Sequence, residues 1–168
     1  MLLRIEQLMR LASHTRLPLI ATVEEPVSTK GDLLEPLQRL LPEEGQLERK
    51  WTYDCCQEPD IESAIMALGR SQIAVAGGET DVCVLQTVLS LLEMQFEVFV
   101  IEDCVFSSAA DTTAALRRMR NGGAIQLTYK ELFYELQGRV RTEPQPAGLL
   151  TPLEIQALYP VSGRREVE

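Results

Sequence analysis

The sequence predicts a three-layer α/β/α fold, with helices on both faces of a mostly parallel sheet. Three observations carry this. Ser71 to Ala76 ends in the short β-branched run Ile73-Ala-Val-Ala76, bounded by glycines, which reads as a buried parallel strand. A second apolar run, Phe96-Glu-Val-Phe-Val-Ile101, follows one helical stripe later. Helical and strand patterns then alternate to the end of the core region, and such an order closes as a layered fold with right-handed crossovers.

Composition sets the bounds. A chain of 168 residues is long enough for one domain whose core removes roughly two thirds of the unfolded surface from water. Hydrophobic content of 45% and charged content of 24% are ordinary for a globular protein, so no disulfide or metal staple is required. The formal net charge of -9 argues against nucleic-acid binding, which needs clustered Lys and Arg to neutralise phosphates. The apolar residues of Met1 to Leu11 are interrupted by Arg4, Glu6 and Arg10, which makes neither a signal peptide nor a membrane span. A cytoplasmic location is expected, with no membrane partner. The four cysteines include no C-x-x-C pair, and adjacent Cys55 and Cys56 are a poor zinc arrangement.

The chain opens with an amphipathic helix, because Leu2, Ile5, Leu8, Met9 and Ala12 share one face. Leu17 to Val23 reads as a strand, and Glu24 to Gly31 as a polar loop at its carboxyl end, where open α/β sheets place their sites. A solvated connection is the plainer reading of any single residue there. Asp32 to Leu41 is a short amphipathic piece interrupted by Pro36, and Glu48 to Asp54 is less regular. Pro59 to Leu68 has Ile61, Ala64, Ile65 and Leu68 at helical spacing, with Gly69 as the stop. After the strand ending at Ala76 come Gly77 and Gly78, then a helix with Thr80 as cap, Asp81 in the first turn and Val82, Leu85, Leu89 and Leu92 as its stripe. Cys83 therefore lies in the first turn, where free backbone N–H groups favour a thiolate. Beyond the Phe96 strand, Asp111 to Asn121 is a helix, Ala124 to Leu127 a short strand and Tyr129 to Leu136 the closing helix. Arg139 to Gly148 reads as a linker, and Thr151-Pro-Leu-Glu154 has the form of a capping box that starts a short helix to about Leu158. The expected division is a domain over 1–138 and a linker and tail over 139–168, with a frayed end.

The segment Gly77 to Val84, a strand ending in Gly followed by Thr-Asp-Val-Cys-Val and a helix, resembles the nucleophile segment of the isochorismatase-like cysteine hydrolases. The resemblance continues through Gln86-Thr87, Phe96 to Asp103 and Ala114 to Ala124. It implies a Rossmann-like sheet and acyl transfer, with Cys83 attacking an amide-like carbon. In the family register Lys50 stands where a site lysine supports the thiolate and the oxyanion, and Trp51 and Tyr53 either wall the pocket or sit in the core. The resemblance also implies an oxyanion hole from the backbone N–H groups of Cys83 and Glu79, the latter after a cis Gly78-Glu79 bond. Asp103 takes a structural place, and a homo-oligomer is expected. The family's metal-binding branch uses histidines, whereas this chain has only His14, so neither a metal nor another cofactor is expected.

The chain departs from the family pattern at its front. Family members begin with a central strand ending in the aspartate that serves as base, and Met1 here enters directly in the following helix. Glu24 or Glu25, at the end of the next strand, is the substitute candidate. Two functional classes stay open: a cysteine hydrolase of small amide-like substrates, and a non-catalytic member serving as a binding or oligomerisation module. A redox-sensing thiol is the third and weaker reading, since no resolving cysteine adjoins Cys83.

Overall fold

The computed structural model describes residues 2–43, 45–138 and 145–158. Helix α1 (Leu2–Thr15) ends where Arg16 turns to a φ of 56°, and strand β1 (Ile20–Glu24) follows. The polar loop after β1 folds into one helical turn, α2 (Val27–Lys30), behind a cis Glu25-Pro26 bond. Pro36 sits at the start of the short α3 (Glu35–Gln38), where its missing N–H is not needed, rather than breaking it. Strand β2 (Gln46–Lys50) leads through a tight turn at Cys55–Gln57 into α4 (Pro59–Ala67).

The second half alternates as expected. Strand β3 (Gln72–Gly78) runs through a wide turn, Thr80–Val84, into α5 (Leu85–Glu93). Then come β4 (Glu97–Phe106), α6 (Thr113–Asn121), β5 (Ile125–Leu127) and α7 (Tyr129–Gln137). A capping box joins Thr128 and Glu131 at the start of α7. The last helix, α8 (Pro152–Leu158), has a second capping contact, Thr151 Oγ1 to Glu154 at 2.8 Å.

Every strand pairing is parallel, but hydrogen bonding divides the strands into two sheets, β1-β2 and β3-β4-β5. The parallel α/β architecture is the one expected, with its strands in two parallel groups. Among the described residues no strand bonds to both β1 and β3. The apolar residues ahead of β1 are spaced three and four apart, so they fold as α1 and supply no ladder.

Alternation along β4 builds the core on both faces. Val98 and Val100 point to one side, where Val84, Leu85, Val88 and Leu91 of the wide turn and α5 meet Ala115 and Met119 of α6. Ile101 and Cys104 point to the other, where Leu11 of α1 meets Tyr129 and Phe133 of α7. Leu149 and Ile155 join this second cluster, and Gln7 accepts a hydrogen bond from the Leu150 N–H at 2.7 Å. Residues 145–158 are therefore packed against the body rather than appended to it. Part of the expected linker, 139–144, and the expected frayed end, 159–168, lie outside the described residues.

Candidate active site

The register of β1 on β2 creates the first half of the site. Glu24 pairs with Lys50, so an acid and a base stand side by side at the carboxyl ends of two parallel strands. The wide turn after β3 supplies the other half by bringing Cys83 against them. Lys50 Nζ lies 3.6 Å from Cys83 Sγ, and Cys83 Sγ lies 3.7 Å from Glu24 Oε2. Glu24 Oε2 is also 4.0 Å from Lys50 Nζ, which closes a triangle of acid, ammonium and thiol.

Lys50 is only 5% exposed, and a buried ammonium needs partners. It donates to the carbonyls of Thr52 at 2.9 Å and Tyr53 at 3.3 Å, which aim the ammonium at the sulfur. The loop that presents those carbonyls is itself anchored. Glu58 Oε1 accepts from the backbone of Trp51 and Thr52 at 2.6 and 2.8 Å, and its carboxyl is held below the usual range by those bonds, the Thr52 N–H first. Buried Asp54 accepts from the Cys56 N–H at 3.0 Å and from Ser90 Oγ at 2.6 Å, while Thr87 Oγ1 accepts from the Cys55 N–H at 3.1 Å. These contacts tie the lysine loop to α5, the helix that follows the turn carrying Cys83.

Glu24 uses its two oxygens differently. Oε1 takes an ion pair from Lys30 of α2 at 2.8 Å, and Oε2 faces the sulfur and Lys50. The Lys30 hydrogen bond, opposed by burial and aided by the charges of Lys30 and Lys50, holds the Glu24 carboxyl below its usual range. Glu25 does not share this role. Just past the end of β1, it accepts from the Val27 N–H at 2.9 Å and from Arg49 at 3.1 Å. Of the two candidate acids, the structure brings Glu24 alone to the thiol.

Ahead of the turn carrying Cys83, Gly77 has a φ of 112°, and the Gly78-Glu79 bond is cis. Gly78 lies against the ring of Phe106, where an added Cβ would come within 2.6 Å. Thr80, expected to cap the helix, is instead buried inside the first turn, and Glu79 precedes it. The Glu79 carbonyl accepts from Val82 and Val84, the residues either side of Cys83, at 3.2 and 3.0 Å. A bond spanning five residues widens the turn, a feature frequent at functional sites. The Glu79 side chain is held from the loop after β4 by Ser107 Oγ at 2.8 Å and by the Ser108 N–H at 2.5 Å. Those bonds, the Ser108 N–H first, lower its carboxyl below the usual range.

The remaining sequence candidates fall around this centre. Trp51 is 72% exposed and Tyr53 is 51% exposed, so neither is a core aromatic, and Tyr53 reaches the centre through its carbonyl. Asp103 accepts from the Tyr129 N–H at 2.7 Å and pairs with Arg4. Burial pushes the Cys104 thiol up to about 12, which leaves it unreactive. Among the described residues no three His, Cys, Asp or Glu side chains converge as metal ligands, and no helix is long and apolar enough to cross a membrane. Sequence reading missed Lys30, Asp54 and Glu58. Asp54 before the Cys-Cys turn was the one local signal, since a side-chain oxygen there can cap the turn that follows.

Comparison with known proteins places the chain in a family. The family model described as "Isochorismatase domain" matches residues 1–131. YcaC of Escherichia coli, described as a probable hydrolase, is 30% identical over 127 residues, which cover 75% of this chain and 61% of that protein. Isochorismatase family protein 1B of Dictyostelium discoideum is 30% identical over 133 residues, covering 77% of this chain and 64% of its own. The chain thus spans a little under two thirds of the length of these relatives. Among solved structures, YcaC of Pseudomonas aeruginosa superposes with a TM-score of 0.78 at 29% identity, covering 84% of this chain and 70% of that one. A Caenorhabditis elegans protein described as MAR1 ribonuclease superposes with a TM-score of 0.74 at 26% identity, covering 89% and 82%. A parallel α/β body, a cysteine in the turn after β3 and a match over most of the chain have one reading: this chain belongs to the isochorismatase family.

Proposed function

We propose that the chain is a cysteine hydrolase that cleaves a small amide-like C–N bond by acyl transfer. The observation that carries this reading is the triangle in which Lys50 Nζ and Glu24 Oε2 stand 3.6 and 3.7 Å from Cys83 Sγ. A thiol flanked by an ammonium and a carboxylate has both a counterion and a proton acceptor.

Glu24 Oε2 takes the Cys83 proton, and the thiolate adds to the carbonyl carbon. Lys50 and the backbone N–H groups of Glu79 and Cys83 stabilise the resulting oxyanion, the step at which preorganised donors act most strongly. The C–N bond then breaks, and the leaving amine takes the proton held by Glu24. A water molecule deprotonated by Glu24 attacks the thioester, releasing the acid and returning the proton to Cys83. The covalent acrylamide in the Pseudomonas YcaC structure agrees with a nucleophilic group in that relative. The exposed rings of Trp51 and Tyr53, on the loop beside Lys50, are assigned to contact the small substrate.

The test is release of ammonia or amine from a panel of small amides, with Cys83→Ser as control. The reading expects turnover that falls by about 10³-fold or more in the variant. Absence of turnover, together with Cys83 alkylation no faster than that of Cys56, would instead favour a non-catalytic binding module. Assembly is part of the proposal. The E. coli YcaC structure is described as an octameric hydrolase, and light scattering of the purified chain should give a homo-oligomer.

A further inference from the structure

We infer that Lys30 is a positioning residue for the nucleophile: by binding Glu24 Oε1 it turns Oε2 to the sulfur and neutralises the carboxylate, leaving Lys50 as counterion of a Cys83 thiolate. This rests on the proposed nucleophile. The argument is one of charge count and geometry. The charged and titratable groups facing Glu24 are Lys30 from α2, Lys50 from β2 and Cys83 from the wide turn. Arg49, on the neighbouring strand position, is engaged by Glu25 and Asp32 instead.

With Lys30 present, the two ammoniums and one carboxylate carry a net positive charge, and a thiolate makes the cluster neutral. With Lys30 removed, Glu24 and Lys50 balance each other at 4.0 Å, and a thiolate would leave the cluster negative in a partly dry site. The ordinary alternative is that Lys30 simply closes its own loop. Its backbone does so already, donating to the Pro26 carbonyl at 3.0 Å. The side chain is the part left to act on Glu24, and both partners are shifted toward their charged forms, each chiefly by the hydrogen bond to the other.

The experiment measures iodoacetamide alkylation of Cys83 in the full chain at slightly acidic pH and low salt, resolved from the other three cysteines by peptide mapping. Four proteins are compared: wild type, Lys30→Met, Lys30→Arg and the double variant Glu24→Gln/Lys30→Met. The Lys30 side chain is 51% exposed, so its charge is partly screened and the expected loss in Lys30→Met is about three- to tenfold. Lys30→Arg should label at close to the wild-type rate. The double variant restores the net charge of the wild-type cluster and should label faster than Lys30→Met, while staying below the wild-type rate because the Glu24 acceptor is lost. A loop-closing role predicts no such recovery. A loss in Lys30→Met below about threefold, or a double variant no faster than Lys30→Met, overturns the role of Lys30 while leaving the nucleophile intact. A wild-type Cys83 labelled no faster than Cys56 overturns both.

Discussion

Replacing Lys50 by Met keeps an unbranched side chain, one heavy atom shorter, and removes its charge. The ammonium is almost fully buried, with two carbonyls and the sulfur as partners, so the substitution deletes one charge-assisted contact to Cys83 and two hydrogen bonds. Two effects then oppose each other in stability. The carbonyls of Thr52 and Tyr53 lose their donor, at about 1 kcal/mol each, while the desolvation of a buried ammonium is relieved. The net cost should be about 2 kcal/mol or less, which leaves the protein folded. Catalysis has no such compensation. Loss of one preorganised electrostatic donor costs about 10²- to 10³-fold in turnover, or about 3 to 4 kcal/mol in the transition state. The assays are urea denaturation, amide turnover and Cys83 alkylation at neutral pH. Turnover and alkylation should both fall while the denaturation midpoint moves little. A Lys50→Met protein that alkylates at the wild-type rate would refute the assignment of Lys50 as counterion.

Three further outcomes can be checked on single variants. Gly78→Ala should destabilise by about 1 to 3 kcal/mol in chemical denaturation, because the new methyl meets the Phe106 ring within 2.6 Å, and the loss should shrink when combined with Phe106→Leu. Ile155→Ala should cost about 2 to 4 kcal/mol, a loss that a loosely attached tail would not show. Glu24 has a carboxyl lowered from 4.5 by Lys30, so its contribution to stability is fully present above about pH 4.5 and is lost as the pH falls through the lower folded value. Acid titration of Glu24→Gln should therefore show a flatter decline below about pH 4.5 than wild type, and identical slopes would refute the pairing.

Local sequence carries most of the second half of the fold. Val98, Val100 and Ile101 alternate between two cores because a strand has a period of two, and the α5 stripe has a period near four residues. Both periods are visible in the chain itself. Strand β2 was not, since Gln46–Lys50 is mostly polar and only its last residue is fully buried. It forms because β1 offers a ladder alongside, which is a non-local reason.

The site divides in the same way. Cys83 in a strand-to-helix turn is a local feature, legible from two glycines, an acid in the first turn and an apolar stripe. Lys50 was legible through family resemblance, whereas the division of the parallel strands into two groups was not. The choice between Glu24 and Glu25 belongs to tertiary structure. Glu24, the last residue of β1, pairs with Lys50 and meets the thiol, whereas Glu25 lies beyond the strand end and is engaged by the Val27 N–H and Arg49. Lys30, Asp54 and Glu58 likewise become part of the site only when distant segments are brought together. The sequence by itself determined the turn that carries Cys83 and the alternation of elements, because both follow from contacts within a few residues; strand register and charge pairing across loops decided everything that surrounds the sulfur.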